Sequence, residues 1–191
     1  MPMGKSSIIV CDSSPLINLA YVDSLHLLTR ITTYPEELKI IVPDLVLNEI
    51  KDRKTKDQLD DLIKQKKILI YGIDREKHKQ RVVSITTKMA LEYFTKSRES
   101  LVPKHHETEA YVMCFGEELG AEFLLLEEKA AVTIARNELG MSCLSHLDII
   151  EKCVKNNSIS KHDALMMITR LIEEKGQKYK NARSLLNRYR G

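Results

Sequence analysis

Two apolar rhythms alternate along the chain. Short, nearly continuous apolar runs at residues 8–11, 39–42, 68–71, 123–126 and 142–144 predict buried strands. Between them the apolar positions fall at helical spacing. A first helix is predicted from Ser13 or Ser14, with Pro15 in its first turn, through Leu16, Leu19 and Ala20 to Leu28. A second starts at Pro43 and carries Glu49, and it or a successor covers the charged stretch 51–67. A long amphipathic helix spans 74–95, with Val82, Ile85, Met89 and Tyr93 on one face, before Pro103 interrupts the chain. Further helices are predicted at 106–119, ended by Gly120, at 130–139, stopped by Gly140, and at 147–154. Asn156-Asn157-Ser158 marks a boundary. Two helices follow, at 160–175 and 178–190, parted at Gly176, with Ser160 and Asp163 as a capping pair. Strands alternating with helices predict an α/β domain over residues 1–155, with residues 156–191 as a helical extension packed on or beside it.

The acids stand where the predicted strands end. Asp12 closes the first run, Glu49 follows the second, and Glu127 and Glu128 close the run 123–126, while Glu107 and Glu109 open a helix. In an open parallel sheet the carboxyl ends of the strands share one rim, so acids from distant segments converge there. Crowded carboxylates repel one another, and the arrangement calls for a hard divalent cation with oxygen ligands. The histidines add nothing to this pattern. His105 and His106 are adjacent and point apart, and His26, His78, His146 and His162 are isolated, with no Ser-His-Asp arrangement around them.

Composition narrows the classes. No apolar run approaches the ~20 residues of a membrane span, and the first apolar run is too short for a signal peptide, so the chain is expected in the cytoplasm and off the membrane. Cys11, Cys114, Cys143 and Cys153 form no CxxC pair and are expected as buried thiols. The net charge is +3. The tail beyond Glu174 carries Lys175, Lys178, Lys180, Arg183, Arg188 and Arg190 with no acid, and the stretch 75–104 is also basic. Basic flanks around an acidic cleft suit a metal that acts on a polyanion; the same cations also suit solvated helix faces.

The segments carrying the acids resemble the PIN-domain ribonucleases. Ile9-Val10-Cys11-Asp12-Ser13-Ser14-Pro15-Leu16-Ile17 is similar to that family's opening strand and first acid. Val42-Pro43-Asp44-Leu45-Val46-Leu47-Asn48-Glu49-Ile50 is similar to its proline-started helix. Glu107-Thr108-Glu109-Ala110 resembles the "GExEA" helix start of one bacterial and archaeal branch, with His106 in place of glycine. Leu124 to Ala130 resembles its "LLLDDRxAR" segment. The resemblance implies a PIN-like three-layer α/β/α domain with a four- to five-stranded parallel sheet, to which the C-terminal helical hairpin is added. It also implies a Mg2+- or Mn2+-dependent ribonuclease site and, frequently, the toxin role of a toxin–antitoxin pair. By that resemblance Asp12, Glu49, Glu109 and Glu128 are the catalytic and metal-site acids, Glu107 and Glu127 are supporting metal-site members, and Ser13 or Ser14 holds a ligand or a metal-bound water. Two departures stand out: Glu127-Glu128 where the family favours aspartates, and Val132 where it has a second basic residue. They keep open the alternative of a degenerate PIN domain that binds RNA or a protein partner without cutting. The apolar faces of the 74–95 helix and the terminal hairpin have three open uses: completing the core, forming a homodimer, or receiving an antitoxin segment.

Overall fold

A computed structural model describes residues 7–31, 38–97, 106–175 and 180–190. The side chains of Tyr93, Lys96, Lys180 and Arg190, and residues Arg98, Pro103, Lys104, His105, Gly176 and Lys178, lie outside that description. The strands are β1 (Ser7–Cys11), β2 (Leu38–Pro43), β3 (Ile68–Tyr71), β4 (Phe123–Leu125) and β5 (Ser142–Leu144). The helices are α1 (Ser13–Tyr21), α2 (Asp44–Glu49), α3 (Arg53–Lys64), α4 (Arg75–Ser97), α5 (Glu107–Leu119), α6 (Lys129–Asn137), α7 (His146–Lys155), α8 (Lys161–Glu173) and α9 (Lys180–Arg190).

The strands form one five-stranded sheet in the order β3-β2-β1-β4-β5, with every pairing parallel. Helices cover both faces, giving the α/β/α layering. On one side α4, α5 and α6 pack on one another, and on the other α1 meets α3 and α7. Burial on both faces is why the strands are apolar runs and not alternating ones. Ile9, Val10 and Cys11 of β1, and Leu124 and Leu125 of β4, are fully buried. From β1 the chain winds outward through β2 to β3, then returns to lay down β4 and β5 on the other side. The winding direction therefore reverses between β1 and β4, the place where open α/β sheets form a crevice at their carboxyl edge.

One expected helix is shorter than its apolar spacing predicts. The first helix ends at Tyr21, because Asp23 takes a left-handed conformation with φ 59° and the amides of Asp23 and Ser24 turn back to the carbonyls of Ala20 and Leu19. Asp is one of the few side chains that tolerate this conformation. Leu25, Leu27 and Leu28 are still buried, by way of a 3-10 turn over Leu25–Arg30. The stretch after Pro43 is two helices, because Asp52 accepts the Thr55 amide at 2.7 Å and starts α3 afresh. The expected Ser160–Asp163 pair forms a capping box at the head of α8. Gly120 ends α5 at φ 62°.

Ala164, Ile168 and Leu171 of α8, with Ala182, Leu185 and Leu186 of α9, are buried in the same apolar cluster as the sheet. Each fully buried Leu or Ile contributes roughly 1.5–3 kcal/mol. Val82, Ile85 and Met89 seat α4 in that cluster as its spacing predicts. No helix among the described residues is long and apolar enough to cross a membrane.

Helix α5 lies close against β4 through Gly116. A Cβ there would collide with Leu124 Cδ2 and stand 3.0 Å from Met141 Cε. Leu124 is fully buried and has little room to yield. Gly116→Ala is therefore expected to destabilise the fold, since overpacking costs about 1–3 kcal/mol and the helix-propensity gain returns at most about 1 kcal/mol. Denaturant midpoints of the two proteins measure the difference; a stabilised variant would show that α5 has slack against the sheet.

Candidate active site

Four segments bring carboxylates to the carboxyl edge of the sheet. Asp12 follows β1 and stands at the N-cap of α1, yet its side chain makes no capping hydrogen bond. It is 2% exposed, and its Oδ1 has no hydrogen-bond partner among the described residues. The next residue, Ser13, donates its hydroxyl to Glu49 Oε2 at 2.6 Å, tying the end of α2 to the start of α1. Glu109 lies in the first turn of α5, half-buried. Glu128 is the N-cap of α6 and accepts the Ala131 amide at 2.6 Å.

Their electrostatics show that these acids share one field. Burial pushes the Asp12 carboxyl up to about 7; the Ser13 and Ser14 amides pull it down, and the charges of Glu49 and Glu127 add to the rise. Burial likewise pushes Glu109 up to about 8, helped by the charges of Asp12, Glu49 and Glu128. Asp12, Glu109 and Glu128 each sit at a helix N-terminus, whose positive end offsets part of this repulsion.

Glu127 does different work from its neighbour Glu128. One of its oxygens accepts Asn18 Nδ2 at 2.8 Å, and the other accepts the His146 amide at 2.8 Å and the His146 ring Nδ1. A carboxylate only accepts, so Nδ1 carries the proton. The His146 and Glu127 side chains are 1% and 8% exposed. Asn18 in turn accepts Lys175 Nζ on its Oδ1 at 2.7 Å. Partial burial lowers the Lys175 pKa, against the pull of Asp52 and Glu127. The sequence reading treated His146 as isolated, and the structure corrects this: it is the buried clamp on Glu127. Asn18 and Lys175 were missed as site residues, although a lone amide between Leu16 and Leu19 was a visible irregularity.

Glu107 is not brought to this cleft. It precedes Glu109 by two residues, about 200° around a helix, and lines a separate groove with Arg75, Thr86 and Tyr111. Several cations of the basic stretch are engaged within the fold. Lys77 and His78 pair with Glu118, Arg81 with Glu117 and Lys88 with Glu138. In the tail, Arg188 pairs with Glu151 at 2.6 Å.

A family model described as a PIN domain, DUF3368, matches residues 8–184. The chain belongs to the PIN-domain family. No curated protein and no solved structure matches it. PIN domains are in general nucleases and typically use divalent metals.

The donors in this PIN domain fit a hard ion. All four cysteines are free and buried, and burial raises the pKa of each thiol, which leaves carboxylates as the anionic ligands on offer. Among the described residues no group of three or more His, Cys, Asp or Glu is arranged to hold a metal ion. Mg2+ is commonly held by only one or two carboxylates and keeps several waters, and the unpartnered Asp12 Oδ1 supplies one such position.

The raised carboxyl groups predict a pH signature without metal. In the unfolded chain both ionise near their ordinary values of 3.8 and 4.5, whereas the folded PIN domain keeps their protons up to about 7 and 8. The folded state binds more protons in that window, so stability falls as pH rises from about 4 to about 8. Thermal melts in chelator across that range are expected to show the fall, and Asp12→Asn is expected to flatten it. A melting temperature that rises between pH 5 and 8 in the wild type, with Asp12→Asn unchanged from it, would contradict the crowding.

Proposed function

We infer that this protein is a cytoplasmic endoribonuclease dependent on Mg2+ or Mn2+. The observation carrying this reading is the buried Asp12, with one unpartnered oxygen, set in a PIN domain among Glu49, Glu109 and Glu128. The ion, when bound, polarises a phosphoryl oxygen and lowers the pKa of a bound water. Asp12 would hold it directly, with Glu109 and Glu128 reaching it directly or through its waters. Glu49, fixed by the Ser13 hydroxyl, is the group positioned to accept a proton from the attacking water. Glu127 acts indirectly, holding the start of α7 against α1 through His146 and Asn18. The free buried thiols suit a reducing compartment. The setting we favour is the toxin of a toxin–antitoxin pair, with an antitoxin protein covering the cleft. The exposed Val83 and Leu91 of α4 give apolar footing to such a partner or to a second copy in a homodimer.

One observation favours a second reading. Both oxygens of Glu127 are taken, and Glu128 spends one on capping α6. This suits a degenerate PIN domain that binds RNA or a protein partner without cutting.

Single-turnover cleavage of a mixed RNA pool separates the two. The wild type with Mn2+ or Mg2+ is expected to cut in a chelator-sensitive way. Asp12→Asn and Glu109→Gln, each removing a metal-site acid, are each expected to lower the rate by about 100-fold or more, the scale on which misplacing the reacting groups costs. Absence of cutting with either ion, alongside salt-sensitive RNA binding that survives both substitutions, would establish the degenerate reading.

A further inference from the structure

Lys175 leaves the end of α8 and enters the edge of the acidic cleft. Its ammonium donates to Asn18 Oδ1 at 2.7 Å, and the same amide donates to Glu127 Oε2 at 2.8 Å. The amide has one workable orientation, because reversing it would turn its NH2 toward the ammonium and its oxygen toward the carboxylate. The ammonium also lies 5.1 Å from the centre of the Tyr21 ring. Among the described residues Lys175 is in no ion pair, unlike Lys54 and Arg170 nearby, which meet Asp23 at 2.9 and 3.6 Å. A fixed, half-buried cation that donates to the neutral Asn18 acceptor keeps donors for a further anion. The acids around Asp12 repel a phosphodiester, so a substrate approaching them gains from a positive charge placed at the rim.

We propose that Lys175 binds a phosphate of the RNA beside the acidic cleft, holding the strand in register with Asp12 and Glu109, with Asn18 as the residue that positions the ammonium. The proposal takes its substrate class from the nuclease reading above. It gives α8 a part in substrate binding: the helix is buried through Ala164, Ile168 and Leu171, so its end is fixed relative to the sheet.

The test uses the full chain and a mixed-sequence single-stranded RNA. Binding is measured over a salt series in the Asp12→Asn background, with and without Lys175→Met or Lys175→Arg. Cleavage by the wild type and by the two single Lys175 variants is read separately with Mn2+. Lys175→Met is expected to weaken binding about ten-fold, the scale of one charge-assisted hydrogen bond, and to reduce the slope of log K against log salt by about 0.7, one phosphate contact on a single strand. Its loss in cleavage is expected in KM more than in kcat, and Lys175→Arg is expected to recover most of both. Unchanged affinity and slope in Lys175→Met would overturn the proposal while leaving the nuclease reading intact. Weakened binding with an unchanged slope and no recovery by arginine would also overturn it, leaving Lys175 as a prop for Asn18. Loss of wild-type cleavage with the slope change retained would remove the nuclease reading and keep Lys175 as an RNA-binding residue. No RNA binding by the parent protein would overturn both.

Discussion

The repulsion among carboxylates at the β1–β4 crevice is the constraint around which the rest of the structure is arranged. Asp12 is buried directly after the central strand, so its charge cannot be relieved by water, and Glu49, Glu127 and Glu109 lie close enough to act on it or be acted on by it. A fold built only for stability would place an apolar residue there. Several features offset the cost. Asp12, Glu109 and Glu128 stand at helix N-termini, Ser13 donates to Glu49, and two raised pKa values let protons neutralise part of the charge. Such perturbed acids in a cleft are a mark of functional sites. The same crowding that weakens the fold is what a bound divalent ion would relieve.

Around this centre runs a belt of neutral and basic groups whose role is to keep the elements in register. Glu127 bonds to His146 at the head of α7 and to Asn18 within α1, and Asn18 bonds to Lys175 beyond α8. Three segments far apart in sequence are thus joined through one carboxylate and one amide. Buried polar groups left unpaired would each cost about 1–3 kcal/mol, so this chain of bonds holds best when all of it is present. The order of the site therefore depends on helices at the far end of the chain, a region with none of the clustered acids.

Much of this was legible in the sequence because it is local. The strands announce themselves as apolar runs, and an acid directly after a run stays at the strand's end in three dimensions, which is why Asp12 stands after β1 and Glu128 after β4, while Glu109 stands in the first turn of α5. Glu107 faces the groove with Arg75 and Tyr111 for a reason the sequence also contained: two residues along a helix is nearly half a turn, so it is turned away from Glu109. The break at Asp23 was hidden because Leu25, Leu27 and Leu28 bury equally well in a 3-10 turn as in a continuing helix. The partners of Glu127 were out of reach altogether. His146 is 19 residues away, Asn18 is 109, and Lys175 is a further step from Asn18, separated from it by 157. No periodicity connects single polar residues over such distances.

The pair Glu127-Glu128, read from sequence as a departure from aspartates, makes geometric sense in the folded chain. Glu127 must reach two helices at once, the amide and ring of His146 on one oxygen and Asn18 on the other. An aspartate, shorter by one carbon–carbon bond of about 1.5 Å, would have to give up one of those contacts or draw α1 and α7 together. Glu128 uses its length differently, curling back to cap its own helix at Ala131 while its charge still reaches Glu109. Asp and Asn are the usual caps, and a glutamate in that place can serve two ends because it is longer. The added methylenes are thus matched by partners at both positions. That matching gives each glutamate a structural place: Glu127 joins α1 to α7, and Glu128 fixes the head of α6.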